Sequence, residues 1–341
     1  MKNISKHFLP FFAAGGILLF ALDSQTAISS AKDAVVLCGQ AIIPSLFPMF
    51  FLCILLTGNM HGNGLRPFNT LGKFFGLQAF SSPLLLTCFL GGYPAGAQSV
   101  AQIYQNGKLS KNRAASILAC CNQAGPAFIF GILGSQFESK FATWALWAVQ
   151  IISAILLWLF QRSSENYTPE QLSKRQVSPT VALGAAISAI ARVCGWVILF
   201  RCLIGYMNKL SFVYLDRKIQ ILLYGLLELT NGCLLISHIE NESIRFVLCS
   251  VLLTFGGVCV TFQTKSVIAD LPIMPYISKK ILQALISFVL AAVVSAMVYH
   301  SNFSIKLWIS VLACLCMICV YTLKKKKTVA FTGKRVYNNA V

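Results

Sequence analysis

The chain has 341 residues, of which 57% are hydrophobic and only 11% are charged. Soluble domains carry about 25% charged residues, so this composition excludes a protein whose whole surface faces water. The net charge of +18 does not indicate nucleic-acid binding. The basic residues lie in short loops and a tail, where membrane topology and anionic lipid explain them. The sequence therefore predicts an all-α, polytopic integral membrane protein.

Ten apolar segments follow one another, each near the length of about 20 residues that spans a bilayer as a helix. The first follows Lys2 and Lys6 and resembles a signal peptide, but the many later segments favour an uncleaved helix that starts in the cytoplasm. The approximate bounds are 8–23, 34–57, 78–98, 114–134, 141–160, 184–207, 218–237, 244–263, 280–300 and 304–323.

A polar stretch at 161–183 divides the ten segments into five and five. We therefore expect a first membrane repeat at 1–160, a second at 184–323 and a basic cytoplasmic tail at 324–341. Regular spacing of similar stretches is the sequence signature of internal duplication.

Two similar stretches support this two-fold repeat. Leu84–Val100 and Val251–Val267 each contain an apolar run, a threonine, a Gly-Gly pair, an irregular piece, a glutamine and a final Ser-Val. After each stretch comes a serine suited to an N-cap, Ser110 or Ser278, followed by basic residues and the next apolar segment. Matching helix interruptions in the two halves of a membrane protein point to a binding site between them.

The number of spans is open at this point, between ten and eight. In the first arrangement all segments cross the membrane and the halves are inverted. In the second, 34–57 and 218–237 dip in and return on the outer face. Both arrangements place seventeen Lys and Arg inside and nine outside, so the positive-inside rule does not choose between them.

Three interruptions in the first half are candidate sites, because broken helices persist in a membrane only where protein or a water-filled cavity surrounds them. Ile43–Met49 contains two prolines and Ser45, and either kinks a helix or forms a half-helix that lines a cavity. Gly91–Ala97 either packs closely against another helix or binds a ligand through Gly92 and Tyr93. Cys121–Ala127 contains Asn122 and Gln123, two amides that bind either a substrate or a neighbouring helix. These three stretches predict substrate contacts at Ser45, Gly92, Tyr93, Asn122 and Gln123.

The second half adds Glu228, the carboxylate that lies deep in an apolar segment. Such a group faces a bundle interior or an aqueous cavity. It predicts coupling to a cation or proton, or binding of a polar substrate; the alternative is a structural pair with Arg192 or Arg201. Those arginines are nine residues apart and so face opposite sides of a helix. The further predicted substrate contacts of this half are Asn231, Gly256 and Gln263.

No enzymatic constellation, metal site or cofactor motif is present in the sequence. The four histidines are scattered at segment ends without metal-ligand spacing, and no phosphate-binding loop occurs. Most of the thirteen cysteines lie in apolar runs, which predicts reduced packing residues. The sequence thus predicts a protein that is not an enzyme.

The interruptions together resemble the YlbJ family of sporulation integral membrane proteins, over about residues 1–325. The residues that carry the resemblance are Ile43–Pro48, Gly92–Ala97, Cys121–Ile129, Leu227–Gly232 and Phe255–Gly257 with Gln263. These proteins belong with the wider Gate or nucleoside-recognition membrane domains, which are related to nucleoside transporters. The resemblance implies a polytopic cell-membrane protein of spore-forming bacteria, linked to spore cortex formation, with an undefined transported substrate. Gln98 departs from the lysine of the family pattern, so an anionic-substrate role of that lysine does not carry over.

The leading functional hypothesis is a secondary transporter or permease-like protein for a small polar solute, nucleoside-like by the resemblance. Its expected partners are the solute, a coupling cation or proton, and membrane lipid; an oligomer is compatible with the pattern. The alternative is a non-transporting scaffold that recruits sporulation or cell-envelope partners. The short loops disfavour the scaffold, because they offer little surface for such partners.

Overall fold

The computed structural model of the chain describes residues 4–59, 66–77, 83–161, 176–209 and 216–299. Over these residues the regular structure is helical, and no strand is present. The α-helices, in chain order, are α1 (Ile4–Leu22), α2 (Ser24–Leu37), α3 (Ile43–Asn59), α4 (Arg66–Phe74), α5 (Leu84–Leu90), α6 (Ala95–Gln105), α7 (Lys111–Cys121), α8 (Pro126–Phe128), α9 (Lys140–Phe160), α10 (Pro179–Lys209), α11 (Arg217–Leu227), α12 (Leu229–Ile236), α13 (Glu242–Phe255), α14 (Gly257–Val267) and α15 (Met274–Tyr299).

Six helical segments in the described ranges are long and apolar enough to cross a membrane. They are Ser24–Asn59, Lys111–Gln136, Lys140–Phe160, Pro179–Lys209, Glu242–Val267 and Met274–Tyr299. The expected segments 78–98 and 218–237 instead form pairs of shorter helices, and the expected segment 304–323 and the tail 324–341 lie outside the described residues. The multi-pass helical architecture is confirmed, and the count of eight to ten segments stays a prediction.

The segment around Pro44 and Pro48 continues as a helix. A π-helical turn at Cys38–Ile42 joins α2 to α3, and α3 runs through Pro48 to Asn59. A π-helical turn shifts the backbone register and so accommodates a residue that lacks an N–H. The helical alternative predicted for this stretch is therefore confirmed, and the alternative in which 34–57 dips in and returns is wrong.

Four interruptions do occur between short helices. The first lies at Gly91–Pro94, between α5 and α6, and the second at Asn122–Gly125, between α7 and α8. The third is at Glu228, between α11 and α12, and the fourth at Gly256, between α13 and α14. The first, second and fourth were predicted as interruptions from glycine, proline or amide residues inside an apolar run. Glu228 was predicted as a buried carboxylate, and a break in its segment was expected only in the arrangement in which 218–237 dips in and returns.

The interruption at Glu228 reverses the chain direction. A Cβ atom at Gly232 would lie only 2.2 Å from the Cα atom of Gly225, whereas residues seven apart in a continuous helix are separated by about 10 Å along its axis. Helices α11 and α12 therefore form a helical hairpin with Glu228 at its tip. Only glycine permits this approach, because any side chain at Gly232 would overlap the facing backbone.

The helices pack into two groups that meet at the start of α6. Helix α10 packs along α2 and α3, while α15 packs against α9 and α13. Three successive inward-facing residues of the α6 region, Tyr93, Ala95 and Ala97, belong to three different buried apolar clusters. The interruption at Gly91–Pro94 thus lies where the packed parts of the molecule converge.

Large apolar side chains remain exposed on the outer faces of the helices, as expected where lipid replaces water. Phe11 is 80% exposed, Leu22 is 84% exposed and Met297 is 72% exposed. None of the ten cysteines within the described ranges forms a disulfide, and most of them are buried. This confirms their predicted role as reduced packing residues for that part of the chain.

We expect Gly232→Ala to lower the free energy of unfolding by about 1–3 kcal/mol, the range typical of overpacking, because its methyl group overlaps the backbone of Gly225. The matched control is Gly195→Ala in α10, where an added Cβ meets no heavy atom within 4 Å. That control should gain roughly 0.5–1 kcal/mol from reduced backbone entropy. Thermal unfolding of the purified full chain in detergent measures both; a Gly232→Ala protein as stable as the wild type would contradict the hairpin packing.

Candidate functional site

The first two interruptions contact each other through their backbones. A Cβ atom at Gly125 would lie 3.0 Å from the Cα atom of Gly92, and one at Gly96 would lie 1.7 Å from the carbonyl oxygen of Cys121. Gly92 also has a φ angle of +79°, which favours glycine over residues with a side chain. Close approach of two irregular backbones explains why glycines recur at both positions.

Side chains from other segments and from the interruption itself satisfy the carbonyl groups that the second interruption leaves without a helical donor. Pro126 has no N–H for the carbonyl of Asn122, and Lys280 Nζ donates to that carbonyl oxygen at 2.8 Å. The Gln123 amide donates to the carbonyls of Ala119 and Cys120 at 2.9 and 3.0 Å. Gln150 Nε2 donates to Ala124 O at 2.9 Å. An unsatisfied backbone group at membrane depth costs several kcal/mol, so these contacts permit the interruption.

Lys280 is the functional-site residue that the sequence reasoning missed. It was assigned to the start of an apolar segment, but α15 begins six residues earlier, so Lys280 lies nearly two turns inside the helix and is 1% exposed. Besides Asn122 O, Nζ donates to Gln123 Oε1 at 3.3 Å and Gln283 Oε1 at 3.0 Å. It also lies 5.1 Å from the ring centroid of Tyr93, within cation–π range.

The three oxygen acceptors match the three N–H donors of an ammonium group. The side chains of Gln123 and Gln283 also exchange hydrogen bonds with each other, at 3.2 and 3.0 Å. Among the described residues, no carboxylate lies within 4 Å of Lys280. This arrangement ties α15 to the second interruption through neutral oxygen atoms.

The interruption at Gly91–Pro94 likewise supplies a donor for the carbonyl groups at the interruption before Gly256. The hydroxyl of Tyr93 donates to the carbonyls of Leu253 and Thr254, each at 3.0 Å. Helix α13 ends there because Gly256 has a φ angle of +83° and Gly257 one of +80°. The hydroxyl therefore replaces the helical donors that these carbonyls lose at the interruption.

Glu228 caps the hairpin tip. Its backbone is extended, and its two carboxylate oxygens accept from the backbone N–H groups of Thr230 at 2.9 Å and Asn231 at 2.7 Å. The residue is 2% exposed. A carboxylate at the N-terminus of a helix is favoured by the helix dipole and by the free N–H groups.

Neither arginine forms the structural ion pair proposed for Glu228. Arg201 Nη1 donates to Asn231 Oδ1 instead, and Arg192 Nη1 donates to Ser266 O at 3.2 Å. Within the described ranges, Glu228 has no basic group within 4 Å. The two arginines serve different partners, as their spacing on α10 predicted.

A small inner cavity of about 50 Å³ lies beside the hairpin tip, and four of the predicted site residues line it: Ser45, Tyr93, Glu228 and Gln263. The remaining lining is mostly apolar and comes from the π-helical turn, α3, the interruption at Asn122–Gly125, α8, α10, α12 and α14. Ser45 Oγ donates to Ala41 O at 2.7 Å, and Gln263 Nε2 donates to Cys259 Sγ at 3.3 Å. The inner cavity has room for a few water molecules.

The other predicted residues surround this cavity without all facing it. Gly92 and Gly256 form the backbone of two interruptions next to Tyr93. Asn122 and Gln123 point towards α14 and α15: Asn122 Nδ2 donates to Thr264 Oγ1 of α14 at 2.8 Å and to Tyr276 Oη of α15 at 3.1 Å. Asn231 faces a second cavity on the other side of the hairpin. The structure thus brings the interruptions together, and their assignment to substrate binding stays a prediction.

The loops that follow the two similar stretches are paired with one another at the surface. Lys111 Nζ contacts Asp270 Oδ2 at 2.6 Å, and Tyr104 Oη donates to the same oxygen at 3.2 Å. The hydrogen bond from Lys111 holds the pKa of the Asp270 carboxyl below its usual value. Across the described ranges, no group of three or more His, Cys, Asp or Glu side chains is placed to hold a metal ion.

Comparison with curated proteins identifies a relative in Bacillus subtilis (strain 168), the sporulation integral membrane protein YlbJ. The two sequences are 22% identical over an alignment of 308 residues, which covers 76% of this chain and 75% of the relative. No protein-family model matches the chain, and no solved structure matches it. The similarity confirms the resemblance that the interruption motifs indicated, and with the six candidate spans it identifies a multi-pass cell-membrane protein.

We expect Lys280→Met to lower the free energy of unfolding by about 1–3 kcal/mol, the cost of leaving buried polar groups unsatisfied. The matched control is Lys111→Met, which removes an exposed ion pair and should change stability little. Thermal unfolding in detergent compares the two. Equal melting temperatures for Lys280→Met and the wild type would mean that the Asn122 carbonyl does not depend on this lysine.

Proposed function

We propose that this YlbJ-type membrane protein is a secondary transporter or permease-like protein for a small polar solute. The supporting observation is the inner cavity, which Tyr93, Gly125 and Glu228 from three different interruptions line together with Gln263 of α14. Secondary transporters commonly bind their substrates at interrupted helices near the membrane midplane. A carboxylate, an amide and three hydroxyl groups in a mostly apolar enclosure are the composition expected of a small-molecule site.

The two-fold repeat is part of this proposal. The order helix, interruption, helix, loop, helix occurs from α5 to α7 and again from α13 to α15, although α7 has 11 residues and α15 has 26. Tyr93 links the interruptions of the two series, and Asp270 in the loop of the second series contacts Tyr104 of α6 and Lys111 of α7 in the first. Such pairing fits two related units that face each other across a binding site, with the hairpin α11–α12 as a re-entrant element.

Glu228 is the group we assign to coupling or substrate recognition. It is the buried carboxylate of the inner cavity, and backbone N–H groups hold both of its oxygens in place. A proton or cation that binds there would compete with the helix N-terminus, which links occupancy of the cavity to the conformation of the hairpin tip. A nucleoside-like solute and a role in sporulation and spore cortex formation follow from the family resemblance and from the name of the relative.

A non-transporting scaffold is the second candidate. The observation that favours it is the size of the inner cavity, about 50 Å³, against about 300–1,000 Å³ for typical small-molecule pockets. The hydrogen bonds that satisfy the interruptions are also internal to the chain. A scaffold would depend on its loops and tail, whereas a transporter depends on the cavity residues.

We expect Glu228→Gln to abolish solute accumulation or export at unchanged membrane expression, because the amide lacks the negative charge. The solute is first sought by untargeted metabolite comparison of wild-type and deletion cells during sporulation, with uridine uptake as the nucleoside arm. The deletion strain is then complemented with either variant, and transport is measured for the metabolite that differs.

Glu242→Gln is the matched control. It makes the same chemical change at the start of α13, where Glu242 Oε1 accepts from the exposed backbone N–H of Glu138. The control should transport normally. Full transport by Glu228→Gln would remove Glu228 from the mechanism. Silent substitutions at Asn122, Gln123 and Glu228, together with a phenotype from loop substitutions, would favour the scaffold.

A further inference from the structure

A second, larger cavity lies on the opposite side of the hairpin from the inner cavity, and we call it the outer chamber. It has a volume of about 260 Å³ and lies between α2, α10 and the hairpin α11–α12. Its size is close to the lower end of the range for small-molecule sites. The sequence reasoning placed only one residue of this chamber, Asn231, in a site.

The outer chamber contains one cationic and one anionic side chain that do not neutralise each other. Arg201 reaches it from α10 and Asp33 from α2. Within the described ranges, neither forms an ion pair within 4 Å, and the hydrogen bond recorded for the Arg201 guanidinium goes to the neutral Asn231 side chain. An arginine within an apolar span marks a functional position by default, because burying its charge is costly.

The rest of the lining divides into polar and apolar parts. Tyr224 Oη donates to Asn208 Oδ1 at 2.6 Å, so these two groups already satisfy each other. Ile204, Ile221 and Leu235 supply apolar surface. A ligand therefore finds two separate charges at the wall of the chamber and room for a small apolar group.

We propose that the outer chamber binds a zwitterionic solute of amino-acid size. Its carboxylate would contact Arg201, whose planar guanidinium presents paired donors that match carboxylate geometry, and its ammonium group would contact Asp33. The two side chains carry opposite charges, so a solute with both charges is complementary. A simple anion would leave Asp33 unpaired, and a simple cation would leave Arg201 unpaired.

The contact between Arg201 and Asn231 fits this assignment. The amide oxygen of Asn231 accepts the hydrogen bond from the Arg201 guanidinium. A ligand carboxylate would take the place of this amide oxygen and form two charge-assisted hydrogen bonds, each roughly twice as strong as a neutral one. The Asn231 backbone is held independently, because its N–H donates to Glu228 Oε2. Replacement of the side-chain contact therefore leaves the hairpin tip intact.

The test uses three probes of nearly equal shape: L-valine, isovalerate, which lacks the amine, and isobutylamine, which lacks the carboxylate. Each is titrated against the purified full chain in lipid nanodiscs, and the melting temperature is followed. Ligand that binds the folded state alone raises the melting temperature. We expect L-valine to raise it, and isovalerate and isobutylamine to require at least tenfold higher concentration for the same rise.

Two variants assign the effect to the chamber. Arg201→Gln and Asp33→Asn should each weaken the L-valine response at least tenfold, while Arg192→Gln, nine residues away on the same helix, should leave it unchanged. Asp33 is exposed, so Asp33→Asn folds and keeps the test valid if Arg201→Gln does not. No L-valine response, or an undiminished response in Asp33→Asn, would overturn the proposal. An isovalerate response equal to that of L-valine would overturn the zwitterion assignment.

This inference does not depend on transport. Binding in nanodiscs needs no gradient, and Glu228→Gln changes the inner cavity and not the outer chamber. Retained L-valine binding in Glu228→Gln with transport lost would support both proposals. A further outcome is that Arg201→Gln and Asp33→Asn lose L-valine binding and still transport the metabolite identified in deletion cells. That result would support the outer chamber as a binding site that is separate from the transport route.

Discussion

The carbonyl groups at the helix interruptions impose the main constraint on this structure. A helix that stops inside an apolar environment leaves carbonyl oxygens without donors, and lipid offers none. At two interruptions donors come from distant segments. Lys280 and Gln150 reach the interruption at Asn122–Gly125, and Tyr93 reaches the one before Gly256. These two interruptions therefore depend on the assembled bundle, whereas Glu228 caps its own interruption locally.

This dependence explains why polar residues at membrane depth cluster in this protein. Gln123 and Gln283 bind each other and Lys280, and Asn122 binds the hydroxyl groups of Thr264 and Tyr276, so that most of their polar atoms are satisfied. An exception is Asn122 Oδ1, which is buried without a hydrogen-bond partner among the described residues. An unsatisfied acceptor beside satisfied neighbours is a position where a bound water or solute atom would be stabilised.

The hairpin α11–α12 separates two cavities of different character. Glu228 faces the small, mostly apolar inner cavity, and Asn231, three residues later, faces the outer chamber with Arg201. The close approach of Gly225 and Gly232 makes the hairpin thin enough for one helical turn to contact both. The two cavities thus meet different residues of a single short helical segment, Glu228 at the inner cavity and Asn231 at the outer chamber.

The sequence alone determined the membrane class, three of the four interruption positions and the family resemblance, because these depend on composition and on local residue types. Apolar runs identify spans, and Gly, Pro or an amide inside a run marks an interruption without reference to the rest of the fold. Glu228 was recognised as a buried carboxylate, but its place at the tip of a hairpin depends on the packing of α11 against α12. The continuous helix through Pro44 was left open, since a π-helical turn is set by packing against α10 as much as by the proline.

Only the tertiary structure decided which side chains meet. Lys280 carries no local signal of burial: its sequence neighbourhood reads as the basic start of a helix, and its role depends on where α15 begins and on the interruption 158 residues earlier. The placement of Asp33 and Arg201 at the wall of one chamber is equally non-local. Hydrogen bonds and charges act over a few ångströms in space, and the sequence states distances only along the chain.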